Sequence, residues 1–109
     1  MRSQKIPAKE HAYIWLYRFA RGEYSEQVYN DAYHFLTINA KDGKGNPHFI
    51  AMIALYISCV HNNTEIDIGK CSRILGAYHH GTKKVPSILG QSKLISMLKK
   101  RSKSWKLKL

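Results

Sequence analysis

After Asp67 the chain has no acidic residue. Over Lys70–Leu109 it carries Lys70, Arg73, Lys83, Lys84, Lys93, Lys99, Lys100, Arg101, Lys103, Lys106 and Lys108. Together these equal the formal net charge of the whole protein, +11, and the remaining bases cancel against the seven acids. A one-signed block of this length is an electrostatic footprint, and its expected counterpart is a polyanion. Cysteine is nearly missing. Cys59 and Cys71 are the only two, too few for a disulfide framework, so a reducing, cytoplasmic setting is expected. Long apolar runs are missing too. Phe49–Val60 is the longest, about 12 residues against the roughly 20 needed to cross a bilayer. Met1-Arg2-Ser3-Gln4-Lys5 is followed by no apolar segment of the kind a signal peptide requires, so none is expected. There is no internal repeat and no strand-turn-strand signal.

What is present reads as helix. At 109 residues the chain suits one domain with a modest core, and its aromatics, seven Tyr among them, argue against disorder throughout. Pro7 suits a first helical turn; Ala8, Ala12, Trp15, Leu16 and Phe19 follow at helical spacing until Gly22, which predicts a helix over about 7–21. Tyr13 and Tyr17 stand one turn apart on its flank and read as the edge of the core in preference to a base-stacking platform. Ser25 is an N-cap, with Tyr24 and Tyr29 at the positions of a hydrophobic staple, and Val28, Ala32, Phe35 and Leu36 form the inner face of a second helix that fades by Asn39 or Ala40. Lys41-Asp42-Gly43-Lys44-Gly45-Asn46 is a turn; it lacks the spacing of a phosphate-binding loop, and no strand precedes it.

Asn46-Pro47 opens a third helix, predicted over 47–61, whose apolar residues cover nearly its whole circumference. Such a helix belongs at the centre of the core, or faces a partner subunit. Thr64 with Asp67 fits a capping box for a fourth helix through Ile68, Cys71, Leu75 and Tyr78, ending at Gly81. Pro86 opens a fifth, with Ile88, Leu89, Ile95 and Leu98 inside and Lys93, Lys99, Lys100 and Arg101 outside. The expected architecture is an all-α, compact bundle of four or five short helices. A single domain spans 1–101, and a basic, flexible tail spans 102–109.

Four patterns could carry chemistry. A helix-turn-helix over Ile68–Pro86 would place Ser72 where the helices approach, Leu75-Gly76-Ala77 in the turn and Tyr78-His79-His80 at the start of a recognition helix. Gly81, Thr82 and Pro86 all oppose it, and a plain helix followed by a basic loop is preferred. The basic block, the second pattern, neutralises phosphates and gains affinity by releasing counterions, with Trp105 free to stack on an unpaired base. Third, Cys59, His61, Cys71, His79 and His80 match no zinc-finger spacing, and both cysteines fall on apolar faces, so neither metal nor any other cofactor is expected. Fourth, Asp31 and His34 lie one turn apart, which alone is no catalytic constellation, and no enzymatic activity is expected.

The expectation is therefore a small basic nucleic-acid-binding protein, for DNA or RNA. Its contacts would be Lys70, Arg73, Lys83, Lys84, Lys93, Lys99, Lys100, Arg101, Lys103, Trp105, Lys106 and Lys108. The alternative is a non-enzymatic adaptor or inhibitor that docks on an acidic surface of a partner protein, for which the apolar third helix and the tyrosines would serve. Self-association through helix 47–61 is a further expectation. Membrane binding is not expected, because the tail's apolar residues do not form an amphipathic helical face.

Overall fold

A computed structural model of the chain describes residues 8–22, 24–40, 46–79 and 88–106. Among them are five helices and no strand: α1 (Ala8–Ala20), α2 (Glu26–Asn39), α3 (Pro47–His61), α4 (Ile68–His79) and α5 (Ile88–Ser102). The expected openers Pro7 and Pro86, the 41–45 turn and Gly81 lie outside the described residues.

Local signals explain the ends of the helices. Gly22 takes φ 75° beyond α1, a conformation open to glycine without a Cβ penalty. The Ser25 hydroxyl accepts the amide of Val28 and caps α2. Asn46 accepts the amide of His48 and Pro47 follows in the first turn of α3. The far end of α3 closes on Asn63 at φ 54°. There the amide of Asn63 donates to Val60 O and that of Thr64 to Cys59 O, the paired bonds of a Schellman end with asparagine in the left-handed position. Thr64 is thus part of the end of α3 and does not open α4 as expected. The cap of α4 is Asp67, whose carboxylate accepts the Lys70 amide at 3.0 Å.

Helix α3 is the hub, packed by α1, α2 and α5. Ala51–Leu55 and Ile57–Cys59 are buried, as a helix apolar on all sides must be. Around them close Leu16 and Phe19 from α1, Val28, Phe35 and Leu36 from α2, and Leu98 from α5, all fully buried. What α3 leaves at the surface is Val60 and His61 at its far end, with Tyr56 and the first turn, Pro47 to Ile50, partly exposed, so the middle of the helix is already used within the chain. A polar seam crosses the α2–α3 contact. Ser58 Oγ donates to Val28 O at 2.6 Å, and Asn62 Nδ2 donates to Asp31 Oδ2 at 3.0 Å. Gln27 donates to the other oxygen of Asp31. That carboxylate is buried and committed to Gln27 and Asn62, while His34 is exposed on the same helix. No side-chain nitrogen or oxygen buried among the described residues lacks a partner.

Helix α4 runs unbroken through Leu75, Gly76 and Ala77 to His79. The turn of the weighed helix-turn-helix is therefore helical, and Gly76 is tolerated inside it at a cost of about 1 kcal/mol relative to Ala.

Candidate nucleic-acid interface

Helix α5 sorts its residues by side. Leu98 is buried, and Leu94, Ile95 and Met97 pack against the core. The opposite side carries Ser92, Lys93, Ser96, Lys99 and Lys100, all exposed, and Lys103 continues it in the turn beyond. With a rise of 1.5 Å per residue, Lys93 and Lys100 stand about 10 Å apart along one line of this face. From Gln91 on, the described residues that share this surface with its cations are serines. Lys99, Lys100 and Arg101 occupy the last turn of the helix, where positive charge is favoured by the unsatisfied carbonyls. Ser102 and Ser104 turn their hydroxyls back onto Lys99 O and Arg101 O.

The other expected contacts scatter. Arg101 is exposed, but its guanidinium lies over the ring of Phe49 at 5.9 Å, which ties it to α3. Lys70 is half-buried and its Nζ donates to Arg21 O at 3.0 Å, at the end of α1. Arg73 is exposed on α4. Lys83, Lys84 and Lys108 lie outside the described residues.

The start of the expected free tail is held. Residues 103–106 fold back from α5, and Asn39 brackets the backbone of Lys106. Its Nδ2 donates to Lys106 O at 2.9 Å and its Oδ1 accepts the Lys106 amide at 2.6 Å. Trp105 is half-buried against the core, so its ring is engaged by the protein where a base had been expected. The reason is local. Loss of helical period after Ser102 leaves backbone groups without helical partners, and Asn39 supplies a donor and an acceptor in one side chain. The Lys106 side chain is exposed.

A second surface joins tyrosines that the sequence shows only as separate helix flanks. Tyr13 and Tyr17 of α1 meet Tyr29 and Tyr33 of α2. Tyr13 stacks on Tyr33 at 4.5 Å, Tyr33 tilts against Tyr29 at 6.2 Å, and Tyr29 meets Tyr17 edge-on at 6.2 Å. The Tyr13 and Thr37 hydroxyls are bonded at 2.6 Å, and Arg21 lies over Tyr17 at 5.8 Å. Tyr17 is 51 % and Tyr33 45 % exposed. Burial raises the pKa of the Tyr29 hydroxyl, and the neighbouring Tyr33 and Tyr17 add to the shift, which keeps that phenol neutral. The available signal was a pair of i, i+4 tyrosines on each of two successive helices joined by a short turn.

Thiol chemistry is suppressed. Cys59 and Cys71 are free and buried. Burial pushes the Cys59 thiol up to about 11 and the Cys71 thiol to about 12, far from the thiolate needed for attack or ligation. Tyr24, whose hydroxyl accepts the Asp67 amide at 2.7 Å, is also raised, chiefly by burial. Among the described residues no three His, Cys, Asp or Glu side chains are grouped to hold a metal ion. Nor is any helix there long and apolar enough to cross a membrane. Compared with protein-family models, with curated proteins and with solved structures, the chain matches none.

Proposed function

We propose that the chain is a small, non-enzymatic nucleic-acid-binding protein that grips phosphates with the outer face of α5. One observation carries the reading. Lys93, Lys99, Lys100 and Lys103 are exposed together along one side of a helix whose opposite side is fixed in the core, in a stretch with no acid to compete for them. Ammonium groups on flexible stems act as point charges without the planar fork that reads base edges. Affinity then comes from released counterions and tolerates any sequence. Two buried thiols that make no disulfide favour a reducing compartment, the cytoplasm.

The test is fluorescence anisotropy with labelled single- and double-stranded oligomers over a range of salt. Affinity should fall linearly on a log–log plot. Absence of binding at micromolar protein and about 150 mM salt overturns the reading and leaves an acidic protein surface as the ligand of α5.

A further inference from the structure

The tyrosine surface opens, at the end of α1, into a cleft of about 310 Å³. Tyr17, Tyr24 and Tyr29 line it, with Arg21 and Glu26 among its walls. The volume lies at the small end of the range for ligand sites, roughly 300–1,000 Å³. Tyr17 and Tyr29 meet with their planes at 80°, and Tyr17 remains half exposed. Two cations stand at this end of α1. Arg21 lies over the Tyr17 ring, and Lys70 Nζ reaches Arg21 O from α4.

We propose that this cleft takes one unpaired base of a single-stranded nucleic acid, stacked on Tyr17, with Arg21 beside its phosphate. The inference rests on the nucleic-acid reading of α5 and adds the strandedness of the ligand. Each wall has a counterpart on a nucleotide. The tyrosine offers a π-face, the Arg21 guanidinium meets the phosphate, and the Glu26 carboxylate can accept from a ring N–H or an exocyclic amine. A protein side chain fits less of this, because no common residue joins a flat ring to an anion. Duplex DNA is excluded, since its bases are stacked on one another and cannot enter a cleft without unpairing.

The experiment compares Tyr17→Leu, Tyr17→Phe and Arg21→Gln with the intact chain. The probes are labelled oligo-dT, oligo-U and a duplex of equal length. Tyr17 is half exposed, so the fold should survive, and a melting curve on each variant checks it. Tyr17→Leu should weaken both single strands about tenfold or more and leave the duplex unchanged. Tyr17→Phe, which keeps the ring, should bind like the intact chain, and Arg21→Gln should weaken single strands alone. A loss confined to oligo-dT or to oligo-U overturns the assignment, because the contact is to the base and not the sugar. Unchanged single-strand affinity in Tyr17→Leu, with replacement of the α5 lysines still weakening every probe, overturns the cleft and leaves the reading of α5 standing. If the intact chain binds none of the probes, both readings fall together.

Discussion

Asn62 joins α2 to the end of α3 through a single amide. Its Nδ2 faces Asp31 Oδ2, Ser58 O and Ser58 Oγ. Removing it leaves a buried carboxylate with only Gln27 beside it, and an unsatisfied buried acceptor costs about 1–3 kcal/mol. Asn62→Ala should lower the urea midpoint accordingly, with the denaturant slope unchanged. The neighbouring Asn63 has a different role. It holds φ 54°, where a residue with a Cβ and no local polar group is penalised by about 1–2 kcal/mol. Asn63→Ala should destabilise by about 1 kcal/mol, and Asn63→Gly should at least match the parent. The thiols make the chain sensitive to alkali. Unfolded, both ionise near their ordinary 9.0; folded, they hold their protons to about 11 and about 12. Below the unfolded value both states are protonated and nothing changes. As pH rises from 9 toward 12 the unfolded chain loses protons first, so stability falls. Urea unfolding at about pH 8 and about pH 11 should show this loss, and the Cys59→Ala, Cys71→Ala double variant should lose less.

At the scale of the helix, α3 is the least replaceable element. Ile53 is 4 % exposed, and Ile53→Asp would place an unpaired charge in the core; loss of the helical circular dichroism signal is the expected result. Asn39→Ala removes both bonds to Lys106, and amide exchange at Lys106 should accelerate while the core amides of α3 keep their protection. The helices themselves were largely legible. Ser25 and Asn46-Pro47 placed the starts of α2 and α3 because capping is local chemistry written in adjacent residues. The start of α4 was misplaced because Thr64 and Asp67 are both capping residues. Only the three-dimensional end of α3 shows that the Thr64 amide is already spent on Cys59 O. The fastening of Lys106, and with it the docking of Trp105, was illegible for a similar reason, since Asn39 lies 67 residues from Lys106 and periodicity carries no information at that range. The four tyrosines were half legible. Tyr13 and Tyr17 read as a flank of α1, but their meeting with Tyr29 and Tyr33 depends on how two helices lie side by side. On α5 the outward lysines followed directly from helical period, whereas the drawing of Arg101 onto Phe49 and of Lys70 onto Arg21 O required the packed structure.

For the molecule as a whole, charge and fold are separable. The outer lysines of α5 repel one another and bury nothing, and relief of that repulsion offsets the favourable charge lost at the helix end, so replacing Lys93, Lys99, Lys100 and Lys103 with Gln should leave the melting temperature nearly unchanged. The same change should reduce the slope of log affinity against log salt by up to about 4, roughly one for each lost phosphate contact, and weaken unrelated sequences equally. The bracket that Asn39 forms around Lys106 has a consequence in time. At ribosomal speeds of roughly 5–20 residues per second, the 67 residues between them take about 3 to 13 s to synthesise. The α1–α3 core can assemble on the nascent chain during that interval, while Asn39 waits without its partner and the side of α3 that receives Leu98 stays bare. The lysines of α5 emerge shortly before Lys106, so the basic helix and the residues that fasten it reach the surface of α3 almost together.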